Sequence, residues 1–72
     1  MMNEKTSNLI KQIGRLKYNL AKTDYQAIKF AEGELTAEEY AETREKRRAW
    51  RAEINALQAE IAELRKEALN ET

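Results

Sequence analysis

The sequence predicts an all-α protein: a helical hairpin with a long, coiled-coil-like C-terminal helix, assembling into an oligomeric helical bundle. Three observations lead to this prediction. Proline is absent and only two of the 72 residues are glycine, so few residues interrupt a helix. Charged residues make up 36% of the chain, which with frequent alanine, glutamate, leucine, lysine and arginine is typical of long helices. Apolar residues recur at spacings of three and four, the period of one helix face.

The first predicted helix spans residues 4 to about 32 and carries two apolar stripes. One stripe suits the partner helix of a hairpin and contains Leu9, Ile13, Leu16, Leu20 and Ala27. A second stripe lies to one side of it and forms a candidate second interface: Ile10, Gly14, Tyr18, Ala21, Tyr25 and Ile28. A hairpin provides this helix with one neighbour only. The second stripe therefore predicts another neighbour, and Gly14 would let its backbone come close.

A turn is predicted at residues 33–35. Gly33 can adopt the left-handed conformation that commonly ends a helix. Thr36 and Glu39 have the spacing of a capping box, and Leu35 and Tyr40 are placed as its hydrophobic staple. One helix should therefore stop before Gly33, and the next should start at Thr36.

A second capping-box pattern lies inside the first predicted helix. Thr23 and Gln26 have the required spacing of three residues. A break near residue 23 is therefore an alternative to one continuous helix.

The second predicted helix spans residues 36–69 and contains a heptad seam. Its residues would serve as an oligomer seam, with isoleucine at a positions and tryptophan or leucine at d positions: Trp50, Ile54, Leu57, Ile61 and Leu64. Such a pattern favours two-stranded parallel packing where helices pair through it. The wider stripe with the same spacing also includes Tyr40, Thr43, Arg47 and Ala68.

The chain is small, and its charge is unevenly distributed. Residues 1–30 carry six basic and two acidic side chains, whereas residues 31–72 carry seven basic and eleven acidic ones. The halves are therefore +4 and −4, which favours folding one onto the other and does not suit a uniformly basic nucleic-acid binder. A chain of this length without disulfides buries little surface. We therefore expect a homo-oligomer.

The residues that most enzymes use are nearly missing. There is no histidine or cysteine, and Asp24 and Ser7 are the single aspartate and serine. We therefore expect no enzyme activity, no catalytic residues, no metal site and no cofactor. No apolar run approaches membrane-spanning length, and the N-terminus has no signal-peptide core. This pattern predicts a soluble, intracellular protein with no membrane partner.

Four arginines surround the single tryptophan and form a candidate site for an anion or a protein partner: Arg44, Arg47, Arg48 and Arg51. On a helix they fall within an arc of about 100°. Three interpretations remain open. The arginines could be a solvated flank that pairs with glutamates and covers the core with aliphatic stems. They could converge between chains on a phosphate-containing small ligand or a carboxylate. They could contact double-stranded nucleic acid, although nothing else extends the patch along a groove.

More than half of the chain resembles a known type of sequence. The run is LAKTDYQAIKFAEGELTAEEYAETREKRRAWRAEINALQAEI, residues 20–61. It is similar to a helical segment of small accessory proteins of tailed bacteriophages, in which TDY.AIK.AEG.LT.EEYA leads into RR.WR.EIN.L. That segment often forms the C-terminal end of tail-fibre-associated or tail-assembly proteins. The matching positions are Thr23, Asp24, Tyr25, 27–29, 31–33, Leu35, Thr36, 38–41, Arg47, Arg48, Trp50, Arg51, 53–55 and Leu57.

The resemblance implies a phage accessory protein that works by oligomerisation and protein binding, as a tail-assembly factor or chaperone would. Its partners would be itself and a phage structural or host protein. Its location would be the host bacterial cytoplasm or the virion. The alternative is a phage counter-defence protein that sequesters a host immune protein or a small nucleotide signal. In that case, arginines and aromatic residues from several subunits would form the pocket.

Overall fold

The computed structural model of the protein describes residues 4–70, which form two helices packed against each other. Helix α1 spans Glu4–Ala31 and helix α2 spans Ala37–Asn70. The short connection makes the helices antiparallel, and the hairpin measures 55 × 16 × 15 Å. The predicted all-α hairpin is confirmed, and both helices end within one residue of the expected positions.

Helix α1 is continuous, so the alternative break near residue 23 is not present. The Thr23 hydroxyl lies 3.0 Å from the carbonyl oxygen of Asn19 and 3.1 Å from that of Leu20. A threonine within a helix commonly satisfies its hydroxyl in this way, on the preceding turn. The Thr23 side chain therefore caps no helix here, because its backbone remains helical.

The end of α1 is closed by backbone hydrogen bonds around Gly33. Gly33 has a φ of 79°, in the left-handed region. The Glu34 N–H donates to the Lys29 carbonyl at 2.8 Å, and the Gly33 N–H donates to the Phe30 carbonyl at 3.0 Å. These two bonds are those of a Schellman motif, which satisfies carbonyls at a helix end. A residue with a Cβ would be strained at Gly33, so the glycine fixes where α1 stops.

The start of α2 is fixed by the predicted capping box. The Thr36 N–H donates to Oε1 of Glu39 at 2.9 Å, and the Glu39 N–H donates to Oγ1 of Thr36 at 3.1 Å. Hydrogen bonds with Thr36, first through its backbone N–H, lower the pKa of the Glu39 carboxyl, and the charge of Lys29 adds to this effect. Two donors at the helix start are therefore satisfied by side chains.

The core is a single layer of aliphatic side chains between the helices. Three residues of α1 and three of α2 form it: Leu9, Ile13, Leu16, Ile54, Leu57 and Ile61. Leu20, Trp50 and Leu64 are partly buried against this layer. The residues of the predicted oligomer seam thus lie in the hairpin's own core, because α1 covers them in an antiparallel arrangement. Their proposed role between chains is not needed to bury them.

Aromatic side chains close the core at the turn. The rings of Phe30 and Tyr40 are stacked, with centroids 4.7 Å apart and planes 12° from parallel. Tyr40 is buried, and it follows the capping box directly. The Arg44 guanidinium carbon lies 5.9 Å from the centroid of the Phe30 ring. This aromatic pair therefore joins the last turn of α1 to the first turn of α2.

Candidate protein-interaction surface

The four candidate arginines do not form one cluster, because Arg47 points into the hairpin. Its Nη1 donates to the Leu20 carbonyl at 2.8 Å and to the Thr23 hydroxyl at 2.7 Å. Its Nη2 lies 3.0 Å from Oδ1 of Asp24. The Arg47 side chain is only 13% exposed. Arg47 thus joins α2 to α1 and is not presented to an external ligand.

Sequence reasoning missed this role, although a signal for it was present. Arg47 falls within the three-and-four spacing that contains Tyr40, Thr43 and Trp50, so it occupies a position that faces α1. A charged residue on such a stripe requires buried polar partners. Its partners are a carbonyl and two side chains of α1, and nothing in the local sequence around Arg47 identifies them.

The other three arginines lie on the outer surface of α2. Arg48 is exposed, and its Nη1 lies 3.6 Å from Oε1 of Glu45 on the same helix. Arg51 is exposed and makes no hydrogen bond or ion pair with other described residues. Arg44 is also exposed and lies beside the Phe30 ring. Since these three residues are spaced by four and then three, they follow one face of α2 and could contact a partner together.

The second stripe of α1 lies on the surface of the hairpin. Its large side chains are widely exposed: 41% for Ile10, 64% for Tyr18, 69% for Tyr25 and 55% for Ile28. Gly14 and Ala21 are also exposed. At about 100° per residue, all six residues fall within an arc of about 80°. We call these six residues the α1 stripe. Scattered exposed apolar residues are ordinary, but a continuous row of them often marks an interface.

Lysines accompany both tyrosines of the α1 stripe. The Lys22 ammonium lies 5.7 Å from the Tyr18 ring centroid, and the Lys29 ammonium lies 5.3 Å from that of Tyr25. The stripe also borders a groove between the helices, lined by Ile10, Ile13, Lys17, Gln58, Ile61, Ala62 and Arg65. This side of the hairpin therefore combines apolar and basic groups.

No protein-family model, curated protein or solved structure matches the chain. The likeness to phage accessory segments therefore remains a prediction from the sequence. Among residues 4–70, no group of three or more acidic, histidine or cysteine residues is placed to hold a metal ion. Neither described helix has a stretch long and apolar enough to cross a membrane.

Proposed function

We propose that the protein is a non-enzymatic phage accessory protein that acts by self-association and by binding another protein. The observation that carries the proposal is the α1 stripe, whose four large apolar side chains are exposed in the hairpin. Burying such a row in an interface removes apolar area from water, which is the main driving force of most protein association. The role is that of a tail-assembly factor or chaperone, in the host cytoplasm or the virion.

The exposed arginines of α2 provide a separate surface for the protein partner. Arg48 and Arg51 point away from the core, and the ion pair between Arg48 and Glu45 lies in solvent. Exposed pairs of this kind contribute about 0–1 kcal/mol, so a partner's carboxylates can replace the glutamate at little cost. An arginine fork can bind a carboxylate through two parallel hydrogen bonds.

The proposal is tested by capture from infected cells. Tagged wild-type protein is compared with an Arg48→Gln/Arg51→Gln variant, and the captured proteins are identified by mass spectrometry. We expect a phage structural protein or a defined host protein in the wild-type sample and its loss from the variant. The matched control, Arg65→Gln/Lys66→Gln, removes two positive charges from the other end of α2 and should retain the partner. If no partner is captured and the purified protein does not self-associate, the proposal is wrong.

The alternative function, counter-defence by sequestering a nucleotide signal, is favoured by one arrangement at the turn. Arg44 lies over Phe30, which stacks on Tyr40, so a guanidinium and two rings are adjacent. Arginine and aromatic groups together can bind a phosphate and a base. Thermal-shift titration with cyclic nucleotides and ADP-ribose derivatives tests this function. Stabilisation of the wild type that is lost in Arg44→Gln would support it, whereas no stabilisation at high ligand concentration would exclude the small-molecule version.

A further inference from the structure

The α1 stripe has a pattern of large and small residues that is complementary to itself when two copies run antiparallel. In this arrangement, a residue of one copy faces the residue of the other copy for which the two residue numbers sum to about 39. Gly14 faces Tyr25 of the other copy, Ala21 faces Tyr18, and Ile10 faces Ile28. Each exposed tyrosine thus meets a small residue, and the isoleucines meet each other at both ends of the stripe. An interface with two-fold symmetry requires this type of self-complementarity.

Gly14 supports this arrangement independently. A Cβ added to Gly14 would meet nothing within 4 Å, so packing within the chain does not require a glycine there. Glycine is nonetheless among the least favourable residues in a helix interior. Gly14 also lines a shallow surface depression, together with Lys11, Arg15, Tyr18 and Asn19. Packing within the hairpin therefore gives no reason for the glycine, and its exposed backbone leaves room for a bulky side chain of a neighbour.

We propose that a second copy of this chain covers the α1 stripe. The two α1 helices run antiparallel about a two-fold axis near residues 19 and 20, and each Tyr25 packs against Gly14 of the other copy. The inference specifies the self-association on which the proposed function rests. The α2 arginines remain outside this contact, where they are available to a partner protein.

Charges on one flank of the stripe fit the same register, and charges on the other flank oppose it. Lys17 and Asp24 lie on one flank of the stripe, and in the antiparallel pair each Lys17 comes near Asp24 of the other copy. Oδ1 of Asp24 already forms an ion pair with Arg47 of the same chain, and the Asp24 side chain is still 59% exposed. On the opposite flank Lys11 comes near Lys29 of the other copy, which opposes association. Because α1 is basic overall, we expect added salt to strengthen the dimer by screening this repulsion.

The first test measures association by analytical ultracentrifugation over a concentration series. Because one helix pair buries less than a standard interface, the series extends to roughly 1 mM. Gly14→Leu places a leucine side chain where Tyr25 of the other copy would pack. It should therefore raise the dissociation constant of the dimer about tenfold or more. Ala59→Leu adds the same side chain at an exposed position of α2 and should leave the dimer unchanged. Circular dichroism at low concentration should show that both variants are folded.

The second test exchanges the large and small partners. If residue 14 faces residue 25 of the other copy, adding Tyr25→Ala to Gly14→Leu should restore association. The leucine at position 14 of one copy then packs over the alanine at position 25 of the other copy. A double variant that associates no better than Gly14→Leu would contradict this pairing.

The third test measures the direction of the helices. The chain contains no cysteine, so single variants such as Asn8→Cys and Lys22→Cys can carry spin labels. At about 1.5 Å per residue, the antiparallel pair separates the two labels along the axis by about 34 Å at residue 8 and about 8 Å at residue 22. A parallel pair gives no axial separation at either position. Similar distances at both positions would overturn the antiparallel arrangement.

The outcomes separate this inference from the function on which it rests. A protein that stays monomeric throughout the concentration series overturns the dimer, while capture through the α2 arginines is measured independently. A monomer whose stripe variants lose a phage protein would show that a different chain covers the stripe, and it would also overturn the inference. An oligomer with parallel helices would leave self-association in place and overturn only this geometry.

Discussion

The two ends of the hairpin are joined by different chemistry. Near the turn, Arg47 donates to α1 and the Phe30 and Tyr40 rings stack. Toward the chain termini, the contact consists mainly of aliphatic side chains such as Leu9, Ile13 and Ile61, although the polar Thr6 is also buried there. An exposed ion pair between Lys5 and Glu60, at 3.5 Å, adds little there.

The two ends make different contributions to the packing of α1 on α2. One end mainly stabilises the packing, and the other determines how the helices are aligned. An aliphatic seam repeats every three or four residues, so sliding one helix by a turn still places apolar groups together. The Arg47 guanidinium reaches one carbonyl, that of Leu20, and one hydroxyl, that of Thr23. A shift of one turn, about 5.4 Å, would take the partly buried Arg47 guanidinium away from these acceptors. The aliphatic end therefore supplies most of the driving force, and the polar end selects one alignment.

The largest expected effect comes from disrupting the aliphatic end. Leu57→Asp places a carboxylate in the core without a partner, which destabilises a hairpin of this size by several kcal/mol. We expect loss of most helical signal in circular dichroism at 25 °C. The matched control, Leu69→Asp, makes the same change at an exposed position and should retain the fold. Unchanged helicity in Leu57→Asp would contradict the assignment of the core.

The next effect comes from the polar end. Arg47→Gln removes the donors to Leu20 and Asp24, and we expect a loss of about 1–3 kcal/mol in the free energy of unfolding. Arg48→Gln makes the same substitution one residue away, on the exposed surface. It should change the free energy of unfolding by about 0–1 kcal/mol. Urea denaturation of the two variants checks the comparison. Equal losses would show that the contact of Arg47 with α1 does not contribute.

A smaller effect is expected where the second helix begins. Thr36→Ala removes one half of the capping box and should cost about 1 kcal/mol. Thermal denaturation would show this as a lower melting temperature. An unchanged melting temperature would contradict the cap.

The same cap should respond to acid. The folded pKa of Glu39 lies below its ordinary value of 4.5, because the ionised carboxyl accepts hydrogen bonds from Thr36. A lowered folded pKa contributes stability above the unfolded value, and this contribution is lost as the pH falls through the folded pKa. The difference between wild type and Glu39→Gln, which replaces the ionisable carboxyl with a neutral amide, should therefore be largest at neutral pH and narrow below about pH 4.5. A difference that is constant with pH would contradict the role of the carboxylate.

The smallest effect on stability is expected at the exposed arginines. Arg48→Gln/Arg51→Gln should change the free energy of unfolding by about 0–1 kcal/mol. If these residues form an anion site, sulfate should stabilise the wild type more than the variant, by mass action on the folded state. Equal responses to sulfate in thermal denaturation would exclude an anion site at these arginines.

Local sequence determined where the helices begin and end. Gly33 allows the left-handed turn, and Thr36 and Glu39 bond each other across three residues, so neither feature needs distant partners. The apolar spacing also identified the residues of each helix that pack against the other helix. These features are visible in the sequence because they depend on residues within one or two helical turns.

The tertiary structure decided what each face contacts. The seam from Trp50 to Leu64 could have paired with another chain, but α1 covers it because the short turn holds α1 at high effective concentration. Thr23 carries a capping pattern, yet its backbone stays helical where α1 packs continuously on α2. The spacing of apolar residues places Arg47 on the side of α2 that faces α1, but only the fold shows which groups of α1 it binds, among them the Leu20 carbonyl. Periodicity predicts that a face has a neighbour, whereas the identity of that neighbour depends on which chain segment the turn holds beside the face.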